Sequence, residues 1–194
     1  MSKAEKTRQF IIEKTAPIFN VKGYSGTSVN DMISATGLTK GSIYGNFRNK
    51  DEVALAAFDF NLKKMFAVIN GEMSLRQTVK EKLLVYVSVY ENFLTFPFPE
   101  GGCPILNTST EADDTHPLLR QKASDAINSW KNKLEGLLQE GIENKELSAD
   151  LVPEDAAITL IALIEGGIMI GKVTGKLQYR RAIMKAVKKM VDDL

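Results

Sequence analysis

Between Gly26 and Lys50 the chain reads GTSVNDMISATGLTKGSIYGNFRNK, and its order of cap, apolar and glycine positions leaves few folds open. Thr27 and Ser28 each carry a hydroxyl able to start a helix, and Asp31 stands three residues beyond Ser28. That spacing lets a hydroxyl and a carboxylate serve the free amides of a first turn. Val29, Met32 and Ile33 then share one helical face and point to a small core. Gly37 ends the element, because glycine accepts the left-handed backbone of a helix stop, and Leu38 plugs the corner. Thr39 caps a second helix expected from Lys40 to about Phe47, with Ile43 and Phe47 turned inward. Lys40, Ser42 and Tyr44, with Gly41 and Gly45 between them, form a slender, polar, basic outer face. Two short helices across a tight turn make a helix-turn-helix, and such a face suits close approach to base edges and phosphates.

The pattern extends on both sides. An apolar first helix carries Ile11, Ile12, Ala16 and Phe19, and Gly23-Tyr24 follows it. Then come Thr27-Ser28-Val29, the run Ala35-Thr36-Gly37-Leu38-Thr39-Lys40-Gly41, and finally Tyr44, Phe47 and Lys50. Together these positions resemble the DNA-binding domain of the TetR/AcrR family of bacterial transcriptional regulators, over about the first quarter of the chain. The rest agrees with that family in length and all-helical character. The resemblance implies an all-α fold in two domains. Residues 1–49 would be a three-helix helix-turn-helix DNA-binding domain, and residues 50–194 a larger ligand-binding and dimerisation domain. It also implies a ligand-responsive regulator, in most relatives a repressor, that binds a pseudo-palindromic operator as a homodimer and is released by a small-molecule effector. Three positions depart from the commonest family form. Pro17 lies inside the first helix, where it removes an amide donor and is expected to kink or loosen the turn before it. Gly45 and Asn46 stand where the family more often carries an aromatic residue and a histidine, so no base preference carries over.

The net charge of +1 conceals an asymmetry. Residues 1–50 hold eight Lys/Arg against three acids, a net of +5, and the remainder holds 17 against 21, a net of −4. Positive charge therefore gathers where the motif is, as a footprint on nucleic acid requires. A single cysteine excludes an intrachain disulfide and fits a reducing cytoplasm. The opening MSKAEKTRQF has no apolar core of signal-peptide length. The most hydrophobic segment, Ala156 to Gly171, is interrupted by Glu165 and falls short of the ~20 residues needed to cross a bilayer. A cytoplasmic protein with no membrane partner is the expectation.

Asn49 and Glu52 repeat the cap-box spacing ahead of a long helix expected from about Lys50 to Ile69. A second helix follows Ser74, with Val79, Leu83, Tyr86, Val87, Tyr90 and Leu94. Phe96 to Gly102 reads as a loop, then come a short helix at about Pro104 to Ala112, a break at 113–117, and a helix through Trp130 to Ile142. The segment after Pro153 is apolar nearly all round and must be buried on every side, part of it against a second subunit. Gly166, Gly167 and Gly171 permit close helix approach there. The last helix, Tyr179 to Val191, carries Ile183, Val187 and Met190 as one stripe. By resemblance these two helices form the homodimer interface.

The DNA-contact candidates are Thr27, Ser28, Thr39, Lys40, Gly41, Ser42, Tyr44, Asn46 and Lys50. Lys40 and Ser42 are placed to reach base edges; Thr27, Tyr44 and Lys50 are placed to hold phosphates. The ligand-binding candidates are Met65, Phe66, Tyr86, Tyr90, Phe93, Cys103, Trp130, Ile161, Glu165 and Met169, on the argument that effector pockets are mostly apolar with a few polar anchors. The same residues at helical spacing also read as plain core. Glu165, a carboxylate in an apolar helix, needs either a structural partner or a cationic ligand. Cys103 and His116 as a nucleophile pair lack any oxyanion-forming element, so no enzymatic activity is expected. Acids beside His116 are explained by a helix start, so no metal and no cofactor are expected. A helical interaction protein with a vestigial head is the alternative reading.

Overall fold

The structure, a computed structural model, describes residues 2–92 and 95–194. Among the described residues there are nine α-helices and no strand: α1 Lys3–Gly26, α2 Val29–Thr36, α3 Lys40–Tyr44, α4 Lys50–Met73, α5 Val79–Glu91, α6 Pro104–Ala112, α7 Pro117–Glu143, α8 Pro153–Thr174 and α9 Leu177–Asp193. The all-α class that the resemblance implies is the one observed among the described residues. Chain contacts divide it into two compact units. The first runs up to Met65 and takes in Pro99–Ser124; the second comprises Phe66–Phe98 and Asp125–Leu194.

In the first unit α1 buries Ile11, Ala16 and Phe19, and it packs on α2 and α6. The break in α1 is at Gly23, whose φ of 73° leaves the helical region, and not at Pro17 as expected. The carbonyl that Pro17 deprives of a donor belongs to Glu13, an exposed residue where solvent can serve it, so the helix passes through the proline unbroken. Buried Asn61 on α4 donates its side-chain amide to the Ala16 carbonyl at 2.8 Å and ties the two helices together.

In the second unit α8 packs on α9, and α5 lies against both. Thr78 and Glu81 form a reciprocal capping box that starts α5, and Val79, Leu83, Tyr86, Val87 and Tyr90 are all buried. Lys131 on α7 bonds Glu154 on α8 at 3.1 Å. At 22 residues α8 exceeds the expected length, and by length and composition alone it is long and apolar enough to cross a membrane. One face is committed to packing: Ala156, Ala157, Leu160, Ile161, Ile164, Gly167, Ile168 and Gly171 are buried. On α9 the buried stripe is Arg180, Met184, Val187 and Val191, so Ile183 and Met190 flank it rather than form it. A Cβ on Gly167 would come within 2.8 Å of Met184 Cε, and one on Gly171 within 2.9 Å of Arg180 Cβ. These two glycines serve the α8–α9 contact, while the Cβ position of Gly166 faces open space.

Candidate nucleic-acid interface

The helix-turn-helix is built as its caps dictate. Ser28 Oγ accepts the Asp31 amide at 3.1 Å, and the Asp31 carboxylate accepts the Ser28 amide at 2.8 Å, so α2 starts with both partners of the box engaged. Lys22 closes on the same carboxylate at 2.6 Å. That bond, with those from Ser28, holds the Asp31 carboxyl well below its ordinary range. Gly37 is left-handed at φ 67°, and its amide returns to the Ile33 carbonyl at 2.8 Å. Thr39 Oγ1 accepts the Ser42 amide at 3.1 Å and starts α3.

α3 is shorter than expected. It ends at Tyr44, and a further turn, with the Asn46 and Phe47 amides both on the Ile43 carbonyl, brings Phe47 into the core. Two glycines among six residues, Gly41 and Gly45, explain the early end, since each costs a helix about 1 kcal/mol relative to alanine. Arg8 braces this end from α1: its guanidinium lies 3.9 Å from the Phe47 ring centre, donates to the Asn46 carbonyl at 2.5 Å and meets Glu52 at 2.8 Å.

Among the DNA-contact candidates, Ser28, Thr39, Lys40 and Gly41 are exposed, and Ser42, Tyr44, Asn46 and Lys50 are half-buried. Thr27 is fully buried, and its hydroxyl donates to the Gly23 carbonyl at 2.6 Å. The Asn46 side chain donates back to the Ser42 carbonyl at 2.9 Å. Lys50 Nζ rests 4.3 Å from the Tyr24 ring centre. Tyr24 gives its hydroxyl to Asp51, and this bond, more than burial, pushes its pKa up to about 12. The His116 ring meets Tyr24 edge-on at 4.5 Å, and its Nε2 lies 3.6 Å from Asp51 Oδ1. Sequence reasoning missed Tyr24, Asp51 and Arg8 as organisers of this surface. Only Tyr24 left a signal, its place directly after a turn glycine.

The ligand-binding candidates do not gather at one place. Tyr86, Tyr90 and Trp130 do meet: the indole stacks on Tyr86 at 5.7 Å and on Tyr90 at 5.8 Å. Phe98, read as loop, adds an edge contact to Tyr90 at 5.5 Å. Burial raises the Tyr86 pKa; the Trp130 N–H offsets part of that rise without reaching hydrogen-bond geometry. Ile161 is buried on α8, Glu165 is half-buried, and Met169 is 45% exposed. Met65 and Cys103 lie in the first unit, both buried, with their sulfurs 3.8 Å apart. Phe66 is half-buried in the second unit, and Phe93 lies outside the described residues. His116 Nδ1 accepts the Leu119 amide at 3.2 Å, a helix-start role. Among the described residues no group of three or more His, Cys, Asp or Glu is placed to share a metal ion.

A family model of the bacterial regulatory proteins, tetR family, matches residues 11–57, and one of the tetracyclin repressor-like C-terminal domain matches residues 79–187. The chain belongs to the TetR family. It is a transcriptional regulator whose N-terminal domain binds DNA. A TetR-family regulator from Cytophaga hutchinsonii is 47% identical and superposes with a TM-score of 0.97, over 100% of this chain and 97% of that one. The HTH-type transcriptional repressor DhaR of Mycobacterium sp. (strain GP1) is 27% identical over 86% of this chain and 82% of its own length. FadR of Bacillus subtilis, crystallised with stearoyl-CoA, shares the fold at a TM-score of 0.75 and 22% identity, over 94% of this chain and 96% of that one.

Proposed function

We propose that this TetR-family regulator is a cytoplasmic repressor, without enzymatic activity, that binds a pseudo-palindromic operator as a homodimer. Residues 1–49 read DNA; residues 50–194 dimerise and bind the effector. The observation that carries this reading is the capped α2–α3 pair within a segment of net charge +5. Lys40, Gly41 and Ser42 on the exposed side of α3 approach base edges, with Asn46 at its far end. Ser28, Thr39, Tyr44 and Lys50 hold phosphates on either side. Thr27 drops out as a contact: it is fully buried, with its hydroxyl on the Gly23 carbonyl and its amide on the Tyr24 carbonyl, and it supports the connection between α1 and α2 instead. Half-sites lie about one helical turn apart, ~34–36 Å, or a multiple of that.

Dimerisation through α8 and α9 is supported by the apolar side chains these helices leave uncovered. Ile158, Met169, Ile170, Val173, Leu177 and Tyr179 are all exposed, Val173 at 81%. Gly166, open at its Cβ position, lets a facing helix come close. The effector is a largely apolar small molecule, and the Tyr86–Trp130–Tyr90 stack is the wall it meets, with Ile161 and Glu165 on α8 as further contacts. The stearoyl-CoA bound by the B. subtilis FadR protein supports an apolar class. An effector of this kind relieves repression because it binds the DNA-incompetent state better; equal affinity for both states would shift nothing. Selection from a random duplex pool tests the reading. Recovery of a sequence with twofold symmetry supports it, and recovery of none overturns it.

A further inference from the structure

Glu111 stands in the last turn of α6, 87 residues along the chain from Tyr24. Its two carboxylate oxygens accept the backbone amides of Tyr24 and Ser25, each at 2.7 Å. Gly23 makes the arrangement possible. Its positive φ takes the chain out of the helical ladder, so the next two amides turn outward instead of bonding within α1. It also has no side chain to obstruct the carboxylate, since a Cβ there would lie 2.7 Å from the carboxyl carbon. Directly beyond, the Gly23 carbonyl receives the Thr27 hydroxyl, and Ser28 caps α2. Glu111 thus pins the first residues of a short connection whose last residue starts the helix-turn-helix.

The other end of α6 is tied to the same stretch of α1. Buried Asn20 donates to the carbonyls of Glu100 at 2.6 Å and Gly102 at 2.9 Å. Asn107 donates to the carbonyls of Asn20 and Gly101, both at 3.0 Å. A helix that lies beyond the DNA-binding segment in sequence therefore holds the end of α1 at both of its own ends. A carboxylate in the last turn of a helix faces the negative end of that helix's dipole, so the two amides are what keep it there.

We propose that Glu111 is a positioning residue for operator recognition: it holds the Gly23–Ser28 connection, and with it α2 and α3, in the DNA-reading geometry before DNA arrives. This rests on the DNA-binding reading above. A connection already ordered adds no ordering cost at binding, whereas a loosened one adds it with every docking event. The loss falls on the sequence-specific complex, which needs both helices in register, more than on loose association with phosphates.

The test compares wild type with Glu111→Ala, Glu111→Gln and Gly23→Ala. Affinities are measured for the duplex that wild type recovers from a random pool and for random duplex. Amide hydrogen exchange at Tyr24 and Ser25 is followed without DNA. In Glu111→Ala, affinity for the recovered duplex falls about tenfold, as loss of charge-assisted hydrogen bonds entails, and affinity for random duplex falls less. The two amides exchange about tenfold faster. Gly23→Ala behaves similarly, because its Cβ displaces the carboxylate. Glu111→Gln keeps one acceptor oxygen and lies between. An unchanged ratio of specific to random affinity in folded Glu111→Ala overturns the proposal. Should that variant not fold, an unchanged ratio in Glu111→Gln does so. If wild type recovers no duplex, the DNA-binding reading falls and this one with it; if wild type binds and the variants match it, only the present proposal falls.

Discussion

Arg8 and Glu52 meet at 2.8 Å across 44 residues of sequence, and the same carboxylate accepts the Arg48 backbone amide at 2.8 Å. Glu52 thereby joins α1, the turn after α3 and the start of α4. The Arg8 side chain is 37% exposed and stacks on Phe47, whereas the Arg48 side chain is 91% exposed. Arg8→Ala therefore lowers the melting temperature by about 2–4 °C, mostly through lost packing and cation–π contact, and Arg48→Ala leaves it nearly unchanged. Thermal melts of the two variants check the ordering. Equal shifts would sink the bracing role of Arg8.

Acid stability follows from the same carboxylate. The Arg48 amide and then Arg8 lower the Glu52 pKa, and the Thr78 and Gln77 amides lower that of Glu81, each from an ordinary value of 4.5. A folded-state pKa below the unfolded one stabilises the fold above the unfolded value, and that contribution is lost as pH falls through the folded one. The melting temperature is therefore flat with respect to these groups above pH 4.5 and declines below it. Glu52→Gln and Glu81→Gln lower it near neutrality and make the acid decline shallower. A decline as steep in the double variant as in wild type contradicts this assignment.

Lys50 is half-buried, and its Nζ lies over the Tyr24 ring, 4.3 Å from the centre. If it holds a phosphate, Lys50→Ala reduces the slope of log affinity against log salt by about one and weakens binding to random and specific duplex alike. Lys185→Ala, on the exposed side of α9, leaves the slope unchanged. Fluorescence anisotropy across a salt series gives both slopes.

The uncovered apolar positions near the α8–α9 turn make the oligomeric state a sharp test. Val173→Glu sets a carboxylate at a position 81% exposed in the single subunit, so the subunit fold has no reason to change. Buried in a dimer interface without a partner, that charge is costly. Light scattering after size exclusion is expected to give a dimer for wild type at micromolar concentration and a single subunit for Val173→Glu, with the same far-ultraviolet circular dichroism. A dimer in both would remove this face from the interface.

Local signals were legible where partners lie within four residues. The Ser28–Asp31 box, the Gly37 stop and the Thr39 cap formed as spaced, because each depends on backbone amides one turn away. The Asn49–Glu52 pair was half legible. Asn49 does accept the Glu52 amide at 2.9 Å, but the carboxylate turns to the Arg48 backbone amide and the Arg8 guanidinium, each at 2.8 Å, instead of closing back on Asn49. Long-range partners left no trace. Glu111 read as one acid among several near a helix end, and nothing near it in sequence points to Gly23. Arg180 lies outside the apolar stripe read on the last helix, and it is 7% exposed because Gly171 opens room for its stem on α8. The buried face of α9 shares Val187 with the expected stripe and is turned toward Arg180, Met184 and Val191. Tyr86, Tyr90 and Trp130, three of the ligand-binding candidates, do stack together, but periodicity carries no information on whether stacked rings line a ligand site or fill a core.

That last ambiguity has a thermodynamic handle. Tyr86 is 2% exposed, and its hydroxyl has no hydrogen-bond partner among the described residues, as is also true of the Trp130 indole nitrogen. Leaving such a group unpaired costs about 1–3 kcal/mol, while the ring itself stacks on Trp130. Tyr86→Phe keeps the ring and deletes the unpaired group. It is therefore expected to leave the free protein as stable as wild type or to raise stability by about 1 kcal/mol, against the usual sign of a core substitution. If the hydroxyl serves the effector, the same variant weakens effector binding, and the two effects have opposite signs. Denaturant unfolding measures the first. Trp130 is the only tryptophan, so its fluorescence reports the second directly. A Tyr86→Phe protein less stable than wild type by more than 1 kcal/mol would mean that the hydroxyl is paired within the free fold, and the case for it as an effector contact would fail.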